Sequence, residues 1–322
     1  MNKAPFSTPD YNARQDYRRA TGQKAMSQSG MHPDMDPLGV RIRESRDSAE
    51  CPDSKPLACL FDVTASMGEV PRRLQAKLPL LPRTLLLSGV ADVQVNFGAI
   101  GDEHTDYGPL QIGQFETDVR MDDFINKIWL ELGGGGNGGE SYGLALYWVA
   151  RHTVCDRWEK RKQKGHLFLT GDECPHRVVT AAAIHRFVGD RVGDQRIEDL
   201  VREVQEKWNL TFLHVDTEMG RRQGSLDVWR RLLPERVVSL PDPETVCETI
   251  ATIVARSEGV DAARVAESLL ASGADPAGVK AAADASAALA LRPTGGGATG
   301  RASGRLPGAP SGPVPFPGAE RL

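Results

Sequence analysis

The chain has 322 residues, 40% of them hydrophobic and 25% charged, with a net charge of −4. Such a composition supports a buried core, either in one large α/β domain with tails or in two small domains. It lacks the basic stripe that nucleic-acid binding requires, and no run of 18 apolar residues marks a membrane span, so neither partner class is expected.

Residues 1–55 are polar, rich in Pro, Asp, Arg and Ser, and show no sustained period. They read as an N-terminal arm, mostly irregular, with a short helix near Tyr11–Arg19. The first twenty residues hold no apolar stretch of the kind a signal peptide needs, so a cytoplasmic location is expected. PLACLFDV (Pro56–Val63) is a short apolar run between a proline and a polar turn, the pattern of a buried strand. VPRRLQAKLPLLPRTLLLSG reads as helical segments interrupted by Pro79 and Pro82 and closed by Gly89. ADVQVNFGAI and PLQIGQFE are strands, forming a hairpin-like pair over residues 91–116. MDDFINKIWLEL is a helix whose acidic first turn suits the macrodipole, and ESYGLALYWVARHT is another after a glycine run. GHLFLTGDE is a strand, LVREVQEKW a helix, NLTFLHVD a strand, and SLDVWRRLLPERVVSL a helix leading into a short strand. PETVCETIATIVARS closes the domain as a helix, with Pro243 near its first turn. The Ala-rich residues 259–291 read as two short helices forming a cap. Residues 292–322 read as a flexible Gly/Pro-rich tail, without the apolar material to offset ordering entropy.

Strands separated by helices predict a doubly wound α/β domain over residues 56–258. Its sheet is mostly parallel, with helices on both faces and one antiparallel edge strand. The five cysteines are scattered without metal-ligand spacing and suit buried reduced thiols better than disulfides.

The informative segment is LFDVTASMGEVP (Leu60–Pro71). Asp62, Thr64 and Ser66 stand at i, i+2 and i+4 where a strand gives way to a helix, so an extended backbone turns all three side chains the same way. They converge at the carboxyl end of a parallel strand, where doubly wound sheets place their ligands. One carboxylate and two hydroxyls are hard oxygen donors that suit Mg²⁺, with Mn²⁺ or Ca²⁺ as alternatives. Asp172 follows a second apolar strand in HLFLTGDECPH and supplies a second carboxylate if the two strands are neighbours.

The D-x-T-x-S-M-G segment after an apolar strand resembles the metal-ion-dependent adhesion site (MIDAS) of von Willebrand factor A (vWA) domains. The succession NFGAIGDEHTD, FETD, GGGGNGGES and FLTGDECPH is similar to that of the vWA domains accompanying alpha-kinases and of bacterial stand-alone vWA proteins. The resemblance covers roughly residues 55–256. It implies Asp62, Thr64 and Ser66 as ligands from the first motif and Asp172 from the third. In the second motif the chain departs from the family: many vWA domains place a Thr there, and the alpha-kinase relatives resemble GGGDGPE, whereas this loop carries Asn137 within GGGGNGGE. Asn137 would ligate through its amide oxygen or through water, with Glu140 competing. The resemblance further implies that one metal position is left to a Glu or Asp of a protein partner. It also implies work in a bacterial multiprotein assembly, with an AAA+ ATPase as a candidate partner. No kinase activity carries over.

Other patterns point to enzymes. Gly139-Glu140-Ser141-Tyr142-Gly143 fits G-x-S-x-G, with Asp172 and His176 as conceivable partners of a Ser141 nucleophile, but no strand leads directly into it. Gly134-x-Gly136-x-x-Gly139 fits a dinucleotide fingerprint and lacks a preceding strand in the same way. A Mg²⁺-dependent phosphatase using Asp62 would need an acid two residues on, where Thr64 stands. Asp102, Glu103, His104 and Asp106 read as a solvated loop in preference to a second metal site, and Cys174 and His176 as loop residues in preference to a zinc or reactive pair. Trp129, Trp148, Trp158, Trp208 and Trp229 are expected on helices covering the sheet, and His214 is expected to be a core histidine. The expectation is therefore a metal-dependent protein-binding module and not an enzyme.

Overall fold

The computed structural model describes residues 7–22, 26–68, 70–77, 79–133, 138–240, 242–287 and 289. Ten strands occur among them: β1 Arg43–Ser45, β2 Lys55–Asp62, β3 Val93–Ile100, β4 Leu110–Ile112, β5 Thr153–Cys155, β6 Gly165–Gly171, β7 Val178–Val179, β8 Gln195–Arg196, β9 Trp208–Val215 and β10 Val237–Leu240. Six form the central sheet in the order β10-β9-β6-β2-β3-β4. All neighbours are parallel except β3 and β4, which are antiparallel. The predicted doubly wound α/β class and its antiparallel edge strand are what the molecule has.

β2 is central because its sequence has no charge between Lys55 and Asp62 and is apolar toward both faces. Leu57, Cys59 and Phe61 enter one core with Phe97, Phe168 and the helices Leu80–Leu87 and Val246–Ser257. Ala58 and Leu60 enter the other, with Leu167, Leu169, Phe212 and the helices Tyr142–His152 and Ile197–Lys207. The same alternation sends Asp62 toward the Tyr142–His152 helix, which is itself buried along nearly its whole length.

The local expectations needed three corrections. Pro82 does not interrupt a helix: it lies in the first turn of Leu80–Leu87, where its missing N–H would have had no intrahelical partner anyway. The MDDFINKIWLEL helix ends at Asn126, because the Gln111 side chain beyond it binds both the N–H and the carbonyl of Trp129 at 2.8 Å and holds the chain outside the helix. Trp129 is therefore non-helical, and Trp208 opens β9. The helix expected near Tyr11–Arg19 is present as Thr8–Thr21, capped by Ser7. That helix buries Tyr11 and pairs Arg18 with buried Asp122 at 2.6 Å, and further along the arm β1 pairs in parallel with β5. The Ala-rich residues form helices Ala262–Ser272 and Pro276–Ala287, whose Val265, Leu269 and Val279 join the first core. Residues 292–322 lie outside the described residues. All five cysteines are buried free thiols. Among the described residues no helix is long and apolar enough to cross a membrane.

A buried ion pair ties the last helix of the domain to the sheet. Arg157 Nη2 lies 2.8 and 3.0 Å from the two Glu258 oxygens, and His166 Nε2 lies 2.9 Å from Oε1. Burial pushes the Glu258 carboxyl up, but His166 and Arg157 outweigh it and hold it at about 2. A depressed carboxylate stabilises the fold above its unfolded value of about 4.3 and loses that contribution as pH falls toward 2. Glu258→Gln leaves Arg157 buried without its counter-charge. The substitution is expected to cost about 3–5 kcal/mol at pH 7, with a deficit that shrinks on acidification. Urea unfolding at pH 7 and pH 3 measures both.

Candidate functional site

The chain leaves β2 to build β3 and β4 on one side, then returns to β6 on the other, so the carboxyl ends of β2 and β6 flank the topological switch point. The register Phe61↔Thr170 sets the end of β2 beside Gly171 and puts Asp172 just beyond it. Asp62 is fully buried. Its Oδ1 accepts from the Thr64 N–H at 2.8 Å and the Thr64 hydroxyl at 2.5 Å, and its Oδ2 accepts from the Tyr142 hydroxyl at 2.7 Å. Thr64 stays extended (φ −71°, ψ 169°), and then Ala65–Met67 makes a single 3₁₀ turn that lifts Ser66 toward the next strand. Ser66 Oγ lies 3.2 Å from Thr64 Oγ1 and donates to Asp172 Oδ1 at 3.0 Å. The other Asp172 oxygen accepts from the hydroxyl of Thr217, which caps the helix Glu218–Gln223 after β9. One hydrogen-bonded chain thus runs Tyr142–Asp62–Thr64–Ser66–Asp172–Thr217.

The structure therefore brings together Asp62, Thr64, Ser66 and Asp172, the four residues read from the two strand ends. Asn137, the loop ligand expected from the glycine run, lies outside the described residues, as do Gly134 and Gly136. Glu140, weighed beside it, is buried with Oε2 unpartnered among the described residues. Sequence reasoning missed Tyr142 and Thr217. The signal for Thr217 was present, since it follows an apolar strand as Asp172 does. Nothing local marks Tyr142, whose hydroxyl reaches Asp62 only through space vacated by Gly171. A Cβ on Gly171 would sit 1.9 Å from that hydroxyl.

Negative charge accumulates here. Burial, and then Asp172, push the Asp62 carboxyl up despite its three hydrogen bonds. Burial also raises Asp172 and Glu173. Glu140 is driven far above the carboxylate range, by burial and then by Asp62, Glu173, Asp102 and Asp106. Among the described residues no Lys or Arg pairs with Asp62, Asp172, Glu140 or Glu173. Two buried carboxylates joined through two hydroxyls are a donor set that fits a hard divalent cation. Of these donors, Thr64 and Ser66 line a cleft together with Gly133, Glu173, Thr217, Glu218 and Arg222.

The enzyme-like patterns are placed differently. Ser141 Oγ accepts from the Glu103 N–H at 2.7 Å and lies 3.3 Å from Glu103 Oε2, while His176 bonds to Asp102. The loop expected to be solvated is largely buried, with Asp102 at 0%, Glu103 at 5% and Asp106 at 6% exposure. His214 packs in the core with Nε2 2.8 Å from Ser225 Oγ.

No family model and no curated protein matches the sequence. Solved structures similar to the chain include the pilus adhesin SpaC from Lactobacillus rhamnosus GG in its open conformation (11% identity, TM-score 0.43, covering 66% of this chain and 31% of that one). Proximal thread matrix protein 1 from the mussel byssus is similar at 10% identity and TM-score 0.41, covering 63% of this chain and 48% of that one. A von Willebrand factor type A protein from Catenulispora acidiphila is similar at 15% identity and TM-score 0.35, covering 63% and 42%. The chain spans less than half the length of each of these three proteins.

Gly171→Ala is expected to cost about 1–3 kcal/mol by overpacking against Tyr142. Gly171→Ala/Tyr142→Phe removes the 1.9 Å contact and leaves the ring carbon at 2.9 Å, so the double variant should lose less than the sum of the single losses. Denaturant melts of the four proteins give the coupling.

Proposed function

We propose that the chain is a vWA-type interaction domain in which Asp62, Thr64, Ser66 and Asp172 hold a Mg²⁺-class cation that takes a carboxylate from a protein partner. One observation carries the reading: two buried carboxylates on neighbouring strand ends are joined by two hydroxyls, and among the described residues no Lys or Arg pairs with them. A bound cation supplies positive charge with a coordination position left for an incoming Asp or Glu. The side chains do the rest. Tyr142 and Thr64 fix the Asp62 oxygens, Thr217 fixes Asp172, and half-exposed Ser66 carries the site to the mouth of the cleft. Loop residue Asn137 or Glu140 would complete the protein donors. Mn²⁺ or Ca²⁺ fits the same oxygen set.

The geometry favours binding over catalysis. Asp62 is fully buried and both of its oxygens are engaged, which leaves a poor nucleophile, and Thr64 stands where a phosphatase would need its acid. The resemblance of the motifs supports work in a bacterial multiprotein assembly, with an AAA+ ATPase as the candidate partner.

Added to EDTA-treated protein at 100 times its Kd, Mg²⁺ should stabilise by about 2.7 kcal/mol, and Asp62→Ala should abolish the response. Affinity capture with and without EDTA, read by mass spectrometry, tests the partner. Capture that persists unchanged in EDTA and in Asp62→Ala sinks the reading, as does phosphomonoester turnover that Asp62→Asn abolishes.

The raised carboxyls also set a sign. A carboxyl raised by folding destabilises the metal-free protein once it ionises, so a neutral isostere relieves it at pH 8. Asp172→Asn should raise the metal-free melting temperature while losing the Mg²⁺ response. Differential scanning calorimetry with and without Mg²⁺ reads both changes.

A further inference from the structure

The loop after β3 and the loop after β6 bring together three side chains that the sequence keeps in two separate segments. One ligand atom each from Asp102, His104 and His176 lies within 4.8 Å of the others. His176 Nε2 is 2.9 Å from Asp102 Oδ1, and the His104 and His176 rings meet edge to face with centroids 4.7 Å apart. Neither imidazole is there by accident of a floppy loop. The Asp102 N–H donates to Asp106 Oδ2 at 2.8 Å, and the Asp102 carboxylate accepts from the His104 N–H at 3.2 Å and the Thr105 hydroxyl at 3.1 Å. The His176 N–H donates to the Glu140 carbonyl at 3.2 Å, and a Cβ on Gly139 would lie 2.9 Å from His176 Nδ1, so glycine there lets the ring pack against the backbone.

A hydrogen bond accounts for His176 and Asp102 but not for the second imidazole. A second observation points the same way. Glu103 is 5% exposed, and its Oε1 is buried without a partner among the described residues. The opposing charges that act on it most strongly are His176 and His104. An uncompensated buried carboxylate oxygen beside a His-His-Asp cluster leaves room for a positive charge that the chain does not supply.

We propose that Asp102, His104 and His176 bind a first-row transition-metal dication of the zinc class, at a site separate from the hard-oxygen site at Asp62. Two imidazole nitrogens with one carboxylate select zinc-class ions over Mg²⁺ and Ca²⁺, which prefer all-oxygen shells. Zinc bonds of about 2.0–2.1 Å require the three donors to draw closer than they stand, and exposed His104 is the one free to close. The proton shared by His176 Nε2 and Asp102 Oδ1 leaves as the ion takes their lone pairs. Three protein donors leave a fourth position toward solvent on the His104 side. The bound ion clamps the loop after β3 to the loop after β6, beside the Glu140 segment that both sites share.

The test is titration of the metal-stripped full-length chain with Co²⁺, a spectroscopic stand-in for Zn²⁺, under saturating Mg²⁺. One equivalent should develop a visible ligand-field band that Zn²⁺ bleaches. His104→Ala, a change at an exposed position, should abolish the band while the Mg²⁺-induced rise in melting temperature persists, which shows that the fold and the first site are intact. His176→Gln should abolish it as well. Asp62→Ala should keep the band and lose the Mg²⁺ response. A band that survives both histidine substitutions, or one that disappears in Asp62→Ala, overturns the proposal.

Discussion

Two carboxylates from adjacent strands end in the same dry place, and that constraint organises the rest of the molecule. Asp62 and Asp172 are both fully buried, and each ionised group raises the cost of the other. Hydroxyls and one backbone N–H satisfy their lone pairs, but dipoles do not cancel net charge. The supporting parts are arranged around this pair. Gly171 clears a path for Tyr142, a 3₁₀ turn lifts Ser66, and the start of the helix after β9 delivers Thr217.

Away from the carboxyl end of the sheet the protein handles buried acids differently. Glu258 has Arg157 and His166, Asp122 has Arg18, Glu248 has Lys77, Glu116 has Arg120, and Asp156 has Arg46 and Lys160. Each is a carboxylate matched by a cation from the same chain. Against that internal standard, the hydroxyl-lined acids at the carboxyl end of the sheet stand apart. An ion-pair network stabilises the fold, whereas an unmatched cluster keeps its attraction for a charge from outside.

The same end of the sheet presents two kinds of donor. Around Asp62 the hydrogen-bonding side-chain atoms are all oxygen. Around Asp102 two imidazoles join the carboxylate. Between them runs the Glu140 segment, whose N–H donates to the Cys174 carbonyl and whose carbonyl accepts from His176. The opposite concern, the exposed edge of the sheet, is met by the N-terminal segment: Arg43 donates to the Ile112 carbonyl of β4 at 2.8 Å, which occupies an acceptor that a foreign strand would otherwise seek.

Alternation of apolar strands with amphipathic helices determined the fold class, because period and burial are written locally in each segment. The same locality made Asp62, Thr64 and Ser66 legible, since three side chains at i, i+2 and i+4 past an apolar strand share a direction whatever surrounds them. Asp172 was legible as a strand-end carboxylate, and its partnership with Asp62 followed once β2 and β6 were taken as neighbours. Only the tertiary structure decided the rest. Tyr142 reaches Asp62 across 80 residues, Arg18 reaches Asp122 across 104, and His176 reaches Asp102 across 74. Residues so far apart carry no common period, so their meeting depends on which strand ends and loops the packed sheet sets side by side. For that reason a histidine in each of two loops looked like two ordinary loops until the fold closed them into one cluster.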